Sequence, residues 1–275
     1  MILSIIILLC FIEIVSASMP PPFNRMLVDG KHQTGKDVII VQHLVARTNG
    51  VNGLKMTNIY DKPTADAIKI FQKKYSLQSD GIFGPKTAFA LLHYNTYDGW
   101  KDPLQFPLPA PYKYKVYIEV HANRSIETDA TLFFANGTEA FKFRVRTRGQ
   151  SLPNGQQRNQ FDHSGATPTG LTEFDLNSPE PDPKSFGPYP VNRAFKGLAG
   201  NSVFAMSDTH DTIRNGILMH TGEWANWQPP LPMPNSHGCI HAWPASIKRV
   251  WQTLVSIGVR VDKNVGGAIP QPYPP

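Results

Sequence analysis

The stretch Ser236-His237-Gly238-Cys239-Ile240-His241 says more about the fold than any other segment of this 275-residue chain. If it forms a strand, His237, Cys239 and His241 share one face, because side chains alternate along strands. The chain has two cysteines, and only Cys239 lies outside the N-terminal 17 residues. A thiol becomes an effective nucleophile when a neighbouring imidazole takes its proton, because the thiolate is the attacking species. The stretch therefore indicates nucleophilic cysteine chemistry supported by histidine.

A second histidine segment, Ile217-Leu218-Met219-His220-Thr221-Gly222, lies upstream, and residues 221–235 separate His220 from Ser236. The thiol therefore lies in the densest histidine cluster of the chain.

Two further expectations concern the immediate neighbours of the thiol. We expect His220 and His237 to favour the thiolate, so that Cys239 reacts well below the usual thiol pKa of about 8.5. We expect Gly238 to leave room for a substrate carbonyl and to free backbone N–H groups for an oxyanion. Such a donor contributes about 3–4 kcal/mol in other acyl-transfer enzymes.

The two segments together resemble the L,D-transpeptidase catalytic domain, which has the YkuD-type fold. That family carries a histidine, a gap of similar length and then Ser/Thr-His-Gly-Cys. Upstream, Ala166-Thr167-Pro168-Thr169-Gly170 is similar to the family's Thr-Pro-x-Gly turn before a strand. The resemblance covers residues 114–262.

This resemblance implies a role for each residue of the motif. Cys239 would be the nucleophile and His220 the general base. The backbone N–H groups of Gly238 and Cys239 would bind the oxyanion, while Ser236 and His237 would line and orient the site.

One position that would contact the substrate differs from the family's pattern. The family commonly has Arg or Asn two residues after the cysteine, whereas this chain has His241. How the terminal carboxylate of the substrate is held is therefore open, because histidine is mostly neutral at pH 7. We assign His241 and Thr221 to substrate binding, together with Trp224 and Trp227. These tryptophans could shield an acyl-enzyme from water within a proline-stiffened loop, or they could simply pack on the sheet.

The region around this motif has the period of two that is typical of strands. We predict a mostly β domain with one packed helix. Its predicted strands are 114–120, 130–134, 139–147, 202–207, 217–220 and 259–261, and its predicted helix is 245–257. Asn136-Gly137 is a strong hairpin turn between two of these strands.

Residues 35–93 show helical spacing and predict a small three-helix bundle, so the fold class is a two-domain α+β protein. Thr64-x-x-Ala67-x-x-x-Phe71-Gln72 and Asp80-Gly81-Ile82-Phe83-Gly84-Pro85-x-Thr87 resemble the peptidoglycan-binding domain. A related domain occurs in propeptides of zinc metalloproteases, where it does not imply wall binding. Both readings of the domain stay open.

The remaining segments set the cellular context. Residues 1–17 read as a signal peptide, residues 94–113 as a Pro-rich linker and residues 263–275 as a disordered tail. Signal cleavage would leave an exported or wall-associated protein with no membrane span, one thiol and a charge above the +6 of the full chain. No basic run indicates nucleic acid, and two sequons, at Asn123 and Asn136, would carry glycans if the host glycosylates.

The function predicted from these observations is a secreted cysteine acyltransferase that acts on peptidoglycan stem peptides without a metal or organic cofactor. A zinc wall peptidase using His237, Cys239 and His241 is one alternative, and a non-catalytic wall-binding protein is another. Cross-linking or hydrolysis, a native or a foreign wall, and the oligomeric state stay open.

Overall fold

The computed structural model describes residues 18–96, 100–175, 183–187, 191, 194–204, 214–221 and 231–258. The chain divides into two compact units at residues 97 and 98. A helical unit is followed by a mostly β unit with a packed helix, which confirms the predicted fold class. The predicted signal peptide, the strand at 259–261 and the C-terminal tail lie outside the described residues.

The N-terminal unit contains the three helices that the apolar spacing predicts. They are α1 (Lys36–Val45), α2 (Lys62–Lys74) and α3 (Pro85–Asn95). Helix α2 begins where Asp61 accepts a hydrogen bond from the Thr64 N–H at 3.0 Å, with Pro63 in the first turn. This side-chain cap and proline are the usual start signals of a helix.

A buried amide explains why Phe-Gln and Asp-Gly occur together in this unit. The side-chain amide of Gln72 lies 3.0 Å from Asp80 Oδ1 and 3.0 Å from Thr87 Oγ1. Its oxygen accepts the N–H of Gly81 at 2.9 Å. Gln72 therefore ties α2 to the turn before α3, so the motif reports the fold of the unit before it reports any ligand.

The C-terminal unit is built on a five-stranded sheet in the order β1-β2-β3-β7-β6. Its strands are β1 (Tyr114–Ile118), β2 (Thr128–Phe134), β3 (Glu139–Arg146), β6 (Met219–His220) and β7 (Ile240–Ala242). All neighbouring pairs are antiparallel except β6 and β7, which are parallel. A separate antiparallel pair consists of β4 (Gly170–Asp175) and β5 (Ala194–Gly200). The helices are α4 (Pro183–Phe186) and α5 (Pro244–Ser256).

The two faces of the sheet have different roles. Val145 pairs with Ala242 on one face, where both are buried in a core that α5 joins through Ile247, Val250 and Leu254. The next pair along the same strands lies on the other face, because side chains alternate. That opposite face carries the functional candidates.

The structure corrects one predicted strand. Residues 201–204 form a 3-10 turn, whereas the sequence predicts a strand over 202–207, of which 205–207 lie outside the described residues. The Ser202 hydroxyl lies 2.5 Å from the carbonyl oxygen of Leu171 and 2.6 Å from that of Ala199. This side chain bonds the backbone locally and competes with continued strand pairing. Within the described parts of the chain, no helix is long and apolar enough to cross a membrane.

Candidate active site

Three neighbouring strands bring the candidate residues together on the face of the sheet that lies opposite the core of α5. Arg146 of β3 is the register partner of His241 of β7, and His241 is the partner of His220 of β6. The imidazole centroids of His220 and His241 are 4.8 Å apart, and both residues are only 4% exposed. Cys239 directly precedes β7 and is also buried. The sheet register thus assembles a thiol, two imidazoles and a guanidinium.

The Cys239 thiol is held by backbone groups of the segment before β6. The Leu218 N–H donates to Sγ at 3.4 Å, and the thiol lies 3.6 Å from the carbonyl oxygen of Gly216, to which it donates. Burial raises the pKa of Cys239, and the Leu218 N–H and Arg214 oppose this only in part. The expectation that neighbouring histidines lower this pKa is wrong for the resting site, because burial dominates and the groups that act against it are the Leu218 N–H and Arg214, not a histidine.

His220 has the state that a general base requires. Burial lowers its pKa to about 4, so the imidazole is neutral at pH 7. Its Nδ1 lies 3.1 Å from the carbonyl oxygen of Thr221. A carbonyl only accepts hydrogen bonds, so Nδ1 carries the proton and Nε2 keeps the lone pair. Thr221, predicted to bind substrate, is 1% exposed and contributes this backbone carbonyl.

His241 is a second neutral imidazole. Burial, followed by the neighbouring His220 and Arg146, lowers its pKa to about 3. Its Nδ1 donates to the carbonyl oxygen of Pro234 at 2.8 Å. His241 therefore supplies no positive charge at neutral pH, whereas Arg146 beside it does. The Arg146 guanidinium donates to Asn235 Oδ1 at 2.8 Å.

Ser236 organises the turn before the thiol through its side chain. Its hydroxyl oxygen accepts the Gly238 N–H at 2.9 Å and lies 2.9 Å from the carbonyl oxygen of Cys239. The Gly238 N–H is therefore occupied, which removes one of the two predicted oxyanion donors. Within the described residues, the Cys239 N–H has no hydrogen-bond partner. The oxyanion prediction then depends on Cys239 alone. His237 points elsewhere, with Nδ1 3.1 Å from Ser164 Oγ at an exposed position.

A buried arginine that the sequence analysis missed explains Gly238. The backbone of Gly238 has φ +117°, and a Cβ there would lie 1.8 Å from Nη2 of Arg214. Glycine is thus required by the guanidinium beneath the turn, and the predicted clearance for a substrate is not its main reason. The only sequence signal was a single basic residue close before the apolar segment 217–219.

Arg214 is 2% exposed and contacts carbonyl oxygens from two separate loops. Its guanidinium donates to the carbonyl oxygens of Gln160 (2.9 Å), Gly165 (3.0 Å), Ala166 (2.5 Å) and His237 (2.6 Å). In addition, the Thr167 hydroxyl donates to the carbonyl oxygen of Gly238 at 2.8 Å. The segment 166–170, singled out by its resemblance, and Gly165 before it therefore support the thiol segment directly; together they form what we call the 165–170 turn.

Two of the predicted contacts are not located. Trp224 and Trp227 lie outside the described residues, so their role over the site stays a prediction. The zinc alternative finds no matching arrangement, because the described residues hold no group of three His, Cys, Asp or Glu side chains placed to bind a metal. His237, Cys239 and His241 are all described, and their side chains contact different backbone and hydroxyl groups.

Two family models match the chain. Residues 34–91 match a peptidoglycan-binding domain, and residues 115–262 match the L,D-transpeptidase catalytic domain of the YkuD family. These matches indicate a peptidoglycan partner and a cell-wall location. No curated protein is similar enough to count as a match.

Two solved structures are distantly similar. One is an L,D-transpeptidase from Stackebrandtia nassauensis, with 18% identity over 88% of this chain and 92% of that chain, at a TM-score of 0.30. The other is a fused zinc-dependent amidase/peptidase with a peptidoglycan-binding domain from Clostridium acetobutylicum. It has 14% identity over 82% of this chain and 94% of that chain, at a TM-score of 0.25. Neither likeness is close enough to support a conclusion by itself.

The catalytic-domain match spans more than half of the chain, contains the buried thiol and both imidazoles, and follows a peptidoglycan-binding match. The chain belongs to the YkuD family of L,D-transpeptidase catalytic domains.

Proposed function

We propose that this protein is an exported cysteine acyltransferase that acts on peptidoglycan stem peptides through Cys239 and His220. The observation that carries the proposal is the state of His220, which is buried and neutral, with Nδ1 bound to the Thr221 carbonyl. Its Nε2 therefore keeps a lone pair that can accept a proton, on the face of the sheet that also bears Cys239. Family membership supports the peptidoglycan substrate.

The proposed reaction proceeds in two steps. The Cys239 thiol passes its proton to His220 Nε2, and Sγ attacks the carbonyl that joins an L-centred diamino-acid residue to a terminal D-alanine. The Cys239 N–H stabilises the resulting oxyanion. The C–N bond then breaks, His220 returns the proton to the leaving amine, and a thioester remains on Cys239. An amine of a second stem gives a cross-link, and water gives a shortened stem.

The terminal carboxylate of the substrate is assigned to Arg146. His241 occupies the position where the family commonly has Arg or Asn, and it is neutral. Arg146 is its partner across β3 and β7, so the two side chains lie next to each other on the same face. A guanidinium fork matches a carboxylate in geometry and charge. Arg146 thus offers a positive charge on the neighbouring strand, at the same level of the sheet as His241.

The test is mass spectrometry of muropeptides after incubation with the full-length protein. Wild type should release D-alanine and form either cross-linked or shortened stems, and Cys239→Ala should do neither. Unchanged product formation by Cys239→Ala would refute the assignment of the nucleophile. Addition of a chelator should leave the wild-type activity intact, whereas a zinc peptidase would lose activity.

A further inference from the structure

We propose that Arg214 is a positioning residue for Cys239, whose fixed positive charge stabilises the thiolate and whose guanidinium holds the turn before it. The inference rests on the proposed role of Cys239 as nucleophile. It concerns the electrostatics of the thiol, which can be measured without any peptidoglycan substrate.

The contacts of Arg214 place its charge directly beneath the thiol segment. Nη2 donates to the carbonyl oxygen of His237 at 2.6 Å and fills the space where a Cβ of Gly238 would lie. The same nitrogen donates to Gly165 at 3.0 Å, which joins the thiol segment to the 165–170 turn. Because the His237 carbonyl is held by Arg214 and the Gly238 carbonyl by Thr167, the two peptide planes before Cys239 have fixed orientations.

The charge of Arg214 is offset mainly by dipoles. Within the part of the chain that the structure describes, its four acceptors are backbone carbonyl oxygens, which carry only partial charges. Burial lowers its pKa to about 10, while Cys239 and Asp162 act in the opposite direction. The guanidinium is therefore still charged at neutral pH. Arg214 likewise lowers the pKa of Cys239 against the effect of burial.

Among the described residues, the other ionisable groups around the thiol do not replace this charge. His220 and His241 are neutral in the resting site, with pKa values of about 4 and about 3. His237 on the same turn is exposed and faces Ser164. On the loop opposite, Asp162 is paired with Arg158 at 2.9 Å. When the thiol gives its proton to His220, the new negative charge on Sγ faces the imidazolium that has just formed and the guanidinium of Arg214. Among the described groups buried near the thiol, Arg214 is the one that already carries its positive charge before the proton moves.

Alkylation of Cys239 by iodoacetamide from about pH 6 to about pH 10 tests the proposal in the full-length protein. The modified peptide is identified by mass spectrometry, so that Cys10 does not contribute. Arg214→Gln should move the midpoint of the profile upward by about one pH unit or more, which slows alkylation at pH 7 about tenfold or more. Arg214→Lys keeps the positive charge but loses the planar guanidinium with its several N–H donors. The midpoint of its profile should stay close to that of wild type. An unchanged midpoint in Arg214→Gln, or the same upward move in Arg214→Lys, would overturn the proposal.

Arg124→Gln is the matched control. Arg124 is also a buried arginine, 5% exposed, and it donates to the Thr167 carbonyl and the Thr147 hydroxyl at 3.2 Å each. Its loss should cost stability but leave the alkylation midpoint unchanged, and an equal rise in this variant would contradict a specific role of Arg214.

If Arg214→Gln does not fold, Asp162→Asn provides a second test. This variant removes the carboxylate whose negative charge partly offsets the positive charge of Arg214, and it leaves the arginine in place. The midpoint should then move downward, and an unchanged or raised midpoint would overturn the proposal. Alkylation that follows these expectations in a protein with no activity on stems would reject the proposed function alone.

Discussion

Backbone carbonyl groups, more than side-chain pairs, set the state of each residue in the site. Thr221 fixes the tautomer of His220, Pro234 fixes that of His241, and four carbonyls hold Arg214. Desolvation is the largest influence on the pKa of both imidazoles and of the thiol. The residue identities were readable from the motif, but their states depend on partners far away in sequence. A local pattern does not contain that information.

At this scale the sharpest prediction concerns Gly238. A Cβ there would lie 1.8 Å from Arg214 Nη2, and φ is +117°. Gly238→Ala should therefore lower the free energy of unfolding by about 3 kcal/mol or more, through overpacking and backbone strain together. Urea denaturation measures the loss.

Gly216→Ala is the control for the backbone strain alone. Gly216 has φ +65° with nothing within 4 Å of the added Cβ. Its substitution should cost only about 1 kcal/mol. Equal losses in the two variants would show that the contact with Arg214 is not what requires glycine at 238.

Among the elements, those with strong local signals were predicted well and those specified by long-range contacts were not. Alternating apolar residues and Asn136-Gly137 identified β2 and β3, and proline identified the start of α5. Strand β5 was missed because its sequence, AFKGLAG, does not alternate and contains two glycines. Strands β6 and β7 have only two and three residues, so their bounds follow from pairing with each other and with β3.

The register between β3 and β7 predicts how the substrate is recognised. Arg146→Gln should raise KM about tenfold for a stem that ends in a free carboxylate, which corresponds to the loss of about 1.4 kcal/mol of binding. The same variant should leave KM nearly unchanged for a stem that ends in an amide, because that group gains little from the guanidinium. Steady-state kinetics with the two substrates measures the difference.

Arg144→Gln provides the matched control on the same strand. Arg144 lies two residues earlier and is paired with Asp129 at 2.8 Å, so its loss should not affect either KM. If Arg146→Gln raises KM equally for both substrates, the arginine supports the site in some other way and does not bind the terminal carboxylate.

At the scale of the whole molecule, we assign wall binding to the N-terminal unit and activity on stem peptides to the C-terminal unit. The N-terminal unit matches the peptidoglycan-binding family. It has its own buried core and its own buried hydrogen bonds, such as those of Gln72. Deletion of residues 18–96 should therefore weaken sedimentation with insoluble wall while activity on small soluble stems persists. Wall binding equal to that of the full-length protein would reduce the N-terminal unit to a packing role.

The buried imidazole pair predicts acid sensitivity of the C-terminal unit. His220 and His241 have pKa values of about 4 and about 3 in the fold, against about 6.5 in an unfolded chain. Because these values are depressed, the stabilisation is fully present above about pH 6.5 and is lost as the pH falls towards the folded values. Near about pH 5 the unfolded state binds almost two more protons, so the pair there lowers the free energy of unfolding by about 2.5 kcal/mol per pH unit.

Tryptophan fluorescence can follow this loss in the intact protein, because all five tryptophans lie after residue 98. His241→Gln removes one of the two titrating groups, and its unfolding free energy should fall less steeply by about 1.4 kcal/mol per pH unit. Above about pH 7.5 neither imidazole titrates in either state, so wild type and variant should there show the same pH dependence. Identical slopes in the acid range would mean that His241 is not held neutral by the fold. The neutral site, and with it the need for a cation at Arg214, would then have to be abandoned.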